Sequence, residues 1–317
     1  MPGPPRSDRT PRTPGRPRCG SRTGWLLLGA LALVSSGCDE EAHFHFLAPP
    51  TSGGAASTGG RGPDPGGGGD DGAAGAGGSD GVGGEAASLL LHRYDFAGEG
   101  TTALDRIGGA DGEIFGGAAL TGTGELRLDG VDDYVALPPR LVSDLPAVTF
   151  VAWLTWESDL SRCWQRIFDF GNNDAETPGD AGNATSSVFV TPSNCGSASQ
   201  DPPHVLTAAR EVVGSIQWVR ASSPLPVGEP AFVALVFSDV EERFELYLNG
   251  ELVAGEGVRP AVSLADLDDA NAWLGRSQWV QDQATFLRGR YDEFRIYRGA
   301  LSPEELGELA RRGPDEP

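Results

Sequence analysis

The chain of 317 residues carries 24 basic against 45 acidic side chains, a net charge of −21, and every basic one is Arg. That balance excludes a nucleic-acid partner, whose phosphates need clustered positive charge, and simple adsorption onto anionic lipid. Gly at 46 and Pro at 24 are high for a single globular domain, and their placement along the chain accounts for the excess.

Residues 1–37 read as an export signal. Six arginines, at 6, 9, 12, 16, 18 and 22, stand against one acid, Asp8, and "WLLLGALALV" follows from Trp25 to Val34. That apolar run is short of the roughly 20 residues a membrane-spanning helix needs and fits a signal core. "LVSSGC" then resembles the lipobox of bacterial lipoproteins, with Ser35 departing from the usual Leu. The resemblance implies that Cys38 is lipidated and becomes the first mature residue. It places the protein in a bacterial cell envelope, facing the periplasm or exterior, with its only bilayer contact at that anchor. Removing the signal leaves 18 Arg against 44 acids, net −26. Such a surface is well solvated and needs a tether. Residues 38–88 supply one. From 49 onward they contain almost no large apolar side chain, so they are expected to be disordered, spanning roughly 35 Å as a flexible coil. His43 and His45 in "EAHFHF" read as part of this tether, and Cys19 lies in the discarded segment.

From Leu89 the texture changes. Short runs rich in β-branched and aromatic residues recur between Gly, Asn, Asp and Pro: "LLLHRYDF", "GELRLDG", "AVTFVAWLTWE", "WQRIFDFG", "SSVFVTP", "GSIQWVR", "AFVALVFS", "RFELYLNG", "AWLGRS" and "GRYDEFRIY". Many strands with short turns, no βαβ rhythm and no internal repeat predict an all-β antiparallel sandwich over 89–312, with 313–317 a tail. Asn249-Gly250 reads as a two-residue hairpin turn. Ser302, Pro303 and Glu305 open one short C-terminal helix as N-cap, first residue and capping-box acid. Leu301 and Leu306 form the hydrophobic staple, and Gly313-Pro314 stops the helix. In "VTFVAWLTW" both faces are apolar, so this strand is central, and its second face should be roofed by loops or line a concave sheet. In "GRYDEFRIYRGALSPEEL", alternation puts Asp292 on the side of Phe294 and Ile296.

The ordered set "LHRYDFAGEGTTALDRIGGADGEI", "LRLDGVDDYVALP", "VTFVAWL", "RIFDFG", "ELYLNGELV", "AWLGRS" and "FLRGRYDEFRIYRGALSPEEL" resembles a LamG-like jelly roll of the concanavalin A-like lectin/glucanase superfamily. The resemblance implies two stacked, curved antiparallel sheets and extracellular glycan or protein binding. It also implies structural acids at Asp105 and Asp292. Either Asp292 accepts backbone amides near Asp105, pinning the first strand to the last, or the two share a structural calcium. The pentraxins of this superfamily bind paired calcium ions at the rim. Their acidic loop would fall on Ser277, Gln278 and Trp279, which lack carboxylates, whereas Asp180 and Asn183 lie where pentraxins carry ligands. Together with Asp169 and Asp174 these make the candidate calcium ligands, since calcium accepts carboxylate and amide oxygens flexibly. The same oxygen-rich segment reads equally as a polar turn.

No Glu-x-Asp-x-Glu pair of the glucanase type, nucleophile elbow, zinc His pair or phosphate loop is present, so no enzyme is expected. Glu245, alternating with Phe244 and Leu246, reads as a solvated acid. What remains is binding. Trp279 in "SQWVQDQ" reads either as a stacking aromatic, with Gln278, Gln281, Asp282, Asn172 and Asn173 as hydrogen-bonding neighbours, or as a satellite core residue folded back on the domain, while Trp164 and Trp218 read as core. Cys163 and Cys195, in an exported domain, are expected to form a disulfide. The chain is therefore expected to be a monomeric, non-catalytic binder of an extracellular ligand, foremost a glycan. An envelope protein partner is the alternative and a degenerate glycosidase the third reading.

Overall fold

The computed structural model describes residues 89–195, 204–282 and 285–314. The signal, the tether, Cys38 and the two tether histidines lie outside the described residues.

The first half of the domain contains β1 (Leu90–Tyr94), β2 (Glu99–Gly100), β3 (Thr102–Ala103), β4 (Gly112–Phe115), β5 (Leu120–Thr121), β6 (Leu126–Asp129), β7 (Tyr134–Leu137) and the long β8 (Ala147–Trp156). There follow β9 (Phe168–Asn173), β10 (Ala184–Thr191), β11 (Thr207–Val212), β12 (Ser215–Arg220), β13 (Pro230–Ser238), β14 (Arg243–Leu248), β15 (Glu251–Ala254), β16 (Asn271–Leu274) and β17 (Arg288–Arg298). The helix α1 (Pro303–Arg312) closes the chain.

The strands form a jelly-roll sandwich. One sheet of seven strands runs β1-β17-β8-β13-β14-β15, with β6 also paired to β17. The facing sheet of eight runs β12-β11-β10-β9-β16-β7-β4-β3. Each strand gives alternate residues to the core between the sheets. Val148, Phe150, Ala152, Leu154 and Trp156 of β8 meet Phe168 and Phe170 of β9 and Val188 and Val190 of β10 there. The Phe150 and Phe168 rings stack at 4.6 Å. Each such side chain, withdrawn fully from water, contributes about 1.5–3 kcal/mol.

The second face of β8 is roofed by the helix. Val151 and Trp153 join Phe232, Ala234 and Val236 of β13, Tyr247, Tyr297 and Leu301 in a separate apolar cluster under Leu306 and Leu309 of α1. The capping box at Ser302 and Glu305 is complete. The hairpin turn has positive φ at both Asn249 and Gly250. Gly250 is also held to glycine by packing, since a Cβ there would stand 2.9 Å from the Gly307 Cα.

Two expectations about acids are corrected. Asp292 does not share a face with Phe294 and Ile296. The register against β8 shifts between Tyr291 and Glu293, a bulge that adds one residue and puts Asp292 on the outer face beside Trp153 and Arg290. The buried acid is Glu293. It takes Arg93 of β1 at 2.8 and 3.1 Å and also Arg295, so it is Glu293 that ties the first strand to the last. Glu245 is no solvated acid either. It accepts from Arg243 at 2.8 Å and from the Tyr247 hydroxyl at 2.8 Å.

Asp105 is fully enclosed at its side chain and accepts the amides of Arg93, Ile107 and Ala110 together with the His92 ring. Burial opposes its charge, but these donors win and hold its carboxyl down at about 2.

Candidate functional site

The outer face of the eight-stranded sheet holds the site. Phe189 of β10 lies opposite Ala209 of β11, and Ala209 opposite Trp218 of β12. Because Ala209 has only a methyl group, the two aromatic rings stand above it with their centroids 5.9 Å apart. Asp169 of β9 continues the same row beside Phe189, with Trp273 of β16 beyond it.

Over this floor opens a cavity of about 220 Å³. Its walls are Trp164, Trp218, Trp279 and Ile216, with Arg166, Glu211, Gln281 and Asp282 supplying polar groups. Trp164 and Trp218 meet at 5.7 Å between ring centroids. Trp164 stands in left-handed backbone, φ 62°, a conformation that costs a bulky residue free energy and must be held by its surroundings. Two restraints hold it: its amide donates to the Ser193 carbonyl at 2.9 Å, and the neighbouring Cys163 is disulfide-bonded to Cys195.

Trp279 reaches the cavity from the other side because two loops are joined. Gly182 and Trp279 form a bridge, with the Val280 amide donating to the Gly182 carbonyl at 2.6 Å and the Gly182 amide to the Gln278 carbonyl at 3.0 Å. A side chain at 182 would meet the Asp174 carboxylate at 2.6 Å, so glycine permits the close approach.

Arg166 organises the floor. Only 2% of its side chain is exposed, and its guanidinium lies 4.0 Å from the Phe189 ring centroid. It donates to Asp169 at 3.1 Å, to Asp282 at 2.8 Å and to the Trp164 carbonyl at 2.6 Å. Burial pushes the Asp169 carboxyl up to about 7 although Arg166 and the Gln278 amide pull it down. Burial likewise raises Glu211 to about 7, helped by the negative Asp169 and opposed by a hydrogen bond from Trp279. One oxygen of Glu211 is shut away from solvent with no hydrogen-bond partner.

Of the residues expected from the sequence, Trp279, Gln281 and Asp282 line the cavity. Gln278 does not. It is buried, and its side-chain oxygen accepts from the side-chain amides of Asn173 at 3.0 Å and Asn271 at 3.1 Å. Asn172 binds Asp268 at 2.7 Å, and Asn173 serves the rim loop through the Asp180 carbonyl at 3.0 Å. Trp164 and Trp218, expected in the core, are walls of the cavity. Alternation carried that signal: Val219 enters the core, so its neighbour Trp218 must face outward. Arg166, Phe189 and Glu211 were missed. The segment "LTAAREVV" has no strand-like pattern because Arg210 occupies the inward position beside Ala208, bonded to the carbonyls of Ser187 and Ser263.

The candidate calcium ligands do not fit a cation. Asp174 uses both oxygens on Asn183, at 2.6 and 2.9 Å. Asp169 faces the Arg166 guanidinium, and among the described residues Asp169, Asp174 and Asp180 form no converging carboxylate group. Among the described residues the converging group is Asp129, Asp132 and Asp133. There the carboxylates accept turn amides instead, Asp133 from Ala118 and Asp129 and Asp129 from Val131.

Comparison with known proteins agrees with this architecture. A family model described as the concanavalin A-like lectin/glucanases superfamily matches residues 129–307. No curated protein matches. Among solved structures, domain 4 of AbnA, an extracellular arabinanase from Geobacillus stearothermophilus in complex with arabinotriose, superimposes with a TM-score of 0.51. It is 20% identical, over 70% of this chain and 98% of that one. Trypanosoma rangeli sialidase with 2,3-difluorosialic acid gives 0.50 at 17% identity, over 70% of this chain and 32% of the sialidase. This chain thus spans about a third of the sialidase's length. With the family model covering more than half of its residues, the chain belongs to the concanavalin A-like lectin/glucanase superfamily.

Proposed function

We propose that this domain binds a saccharide in the cavity of Trp164, Trp218 and Trp279 and does not hydrolyse it. The observation that carries the reading is the cavity itself: three indoles around a floor ring, with carboxylate and amide groups at hydrogen-bonding positions between them. Indole faces pack on the C–H faces of sugar rings, and polar groups set among them take hydroxyls and fix orientation. The arabinanase domain of the same fold holds arabinotriose, and the reading extends that ligand class to this chain.

The arrangement of acids supports binding without hydrolysis. Retaining cleavage needs two carboxyls about 5–5.5 Å apart, facing each other across the bond to be broken. Here Asp169 is committed to Arg166 and the Gln278 amide, and Asp282 to Arg166 and Ser277. In this reading the chain is an envelope lipoprotein anchored at Cys38. No helix of the described residues is long and apolar enough to cross a membrane.

The test is a glycan and polysaccharide panel on the purified full chain, disulfide intact, with products checked for new reducing ends. Binding without release of reducing ends, lost in Trp218→Ala, is the expected result. A folded chain that retains no glycan but captures an envelope protein overturns it in favour of a protein-binding module. Release of reducing ends overturns the non-catalytic part.

A further inference from the structure

The polar groups around the cavity are unequal in kind. The main donor, Arg166, is nearly sealed from solvent, flat against Phe189, and directed at Asp169, Asp282 and the Trp164 carbonyl. The Trp279 indole lies on the Glu211 side of the cavity and favours the charged form of that carboxyl. The Gln281 amide nitrogen is directed to Asn183 at 3.2 Å. The other polar side chains lining the cavity are carboxylates and an amide, from Glu211, Asp282 and Gln281, and one Glu211 oxygen, closed off from water, has no hydrogen-bond partner.

An occupant must therefore supply donors. A buried acceptor without a partner forfeits its hydration, so a ligand that brings an N–H or O–H to Glu211 recovers a full hydrogen bond. Cations gain further from the walls. Indole faces attract positive charge, worth about 0.5–2 kcal/mol for each well-placed ring. The floor already shows this preference: Arg166 stacks on Phe189, and Arg220, which does not line the cavity, lies 5.0 Å from the Trp218 ring centroid. Carboxylated sugars meet the opposite field. Glu211, Asp282 and Asp169 outnumber Arg166 at the site, and the whole chain carries −21.

We propose that the cavity selects a sugar bearing a free ammonium group, an unacetylated hexosamine, with the ammonium seated between the indoles and hydrogen-bonded to Glu211. The proposal rests on the saccharide reading above and narrows it. Asp282 assists from the rim, Gln281 takes a neighbouring hydroxyl, and Arg166 stays with its two acids as a fixed part of the floor.

The experiment is calorimetric titration of the full chain at neutral pH with four oligosaccharides of equal length. These are β-1,4-linked glucosamine, its N-acetylated counterpart, the neutral glucan and an oligogalacturonate. Glucosamine oligomers are expected to bind about tenfold or more tightly than the acetylated and neutral ones, with the uronate weakest. Glu211→Gln keeps size and hydrogen bonding but removes the charge, and should bring the ratio of glucosamine to neutral-oligomer affinity down to about one. Trp279→Ala, read in parallel, should weaken glucosamine binding should Glu211→Gln not fold. Equal or tighter binding of the acetylated or neutral oligomer overturns this proposal and leaves the saccharide reading standing. Failure of every oligomer to bind a folded chain overturns both.

Discussion

Arg166 donates to Asp169 at 3.1 Å, with 2% of one side chain and none of the other exposed. Removing one partner of a sealed ion pair leaves the other charge buried and alone, which costs about 3–5 kcal/mol. Arg166→Met should therefore lower the unfolding free energy by about that much in urea titration. The double variant Arg166→Met, Asp169→Leu should recover part of the loss, because the sealed charge is gone while Asp282, which keeps some contact with water, still lacks its arginine. A single variant as stable as the parent would show that the pair does not organise the floor.

The walls of the cavity should separate binding from stability. Trp218 and Trp279 are half-buried, outside the sandwich core. Replacing either with Ala should weaken saccharide binding about tenfold or more. The melting temperature should fall by only a few degrees. Parallel loss of both would assign the indoles a packing role.

Stability should depend on pH in a set direction. Burial raises the folded-state values of Asp169 and Glu211 to about 7, above their unfolded ones. Their favourable contribution is thus fully present below about pH 4 and is lost as pH rises through 7. The melting temperature should fall between pH 5 and 8, and Glu211→Gln should flatten that slope. Asp105 works the other way. Its value is held at about 2, so its contribution is present above about pH 4 and lost as pH falls toward 2. A slope unchanged by Glu211→Gln would remove Glu211 as its source.

The disulfide should matter to both fold and site. Cys163 and Cys195 are 32 positions apart, a loop closure worth about 3–4 kcal/mol in the chain-entropy account. It also restrains the left-handed backbone at Trp164. Reduction should lower stability by about that amount and weaken saccharide binding even where the domain stays folded. Unchanged affinity in the folded, reduced chain would free the Trp164 wall from dependence on the crosslink.

Adjacent acids on β17 should respond unequally. Glu293 is sealed in the sheet with Arg93 and Arg295, whereas Asp292 is half-buried at the bulge. Glu293→Ala should destabilise the domain by about 3–5 kcal/mol, because it removes the buried carboxylate that meets two guanidiniums. Asp292→Ala should cost clearly less in the same denaturant titration.

Much of the architecture was legible along the chain because it depends on local chemistry. The two-sided apolar run of β8, the Asn249-Gly250 turn and the Ser302 capping box each involve residues within a few positions of one another, and each formed as expected. The helix as the roof over β8 was not legible, since it joins Val151 to Leu309 across the length of the domain. The site divided along the same line. Trp279, Gln281 and Asp282 were visible as an aromatic in a polar loop. Phe189, Glu211 and Arg166 come from separate strands and a loop, and they become one cavity only when β9, β10 and β11 pair in register. Asp292 and Glu293 show the limit most sharply. Their alternation was plain, but a single bulge against β8 decided which of them was buried. Turn chemistry and periodicity act over a few residues, and they were enough to specify the sandwich, the hairpin and the capped helix. Which acids are sealed, and which indoles share a cavity, was decided only by the tertiary structure, because strand register and loop bridging bring together groups that have no local reason to meet.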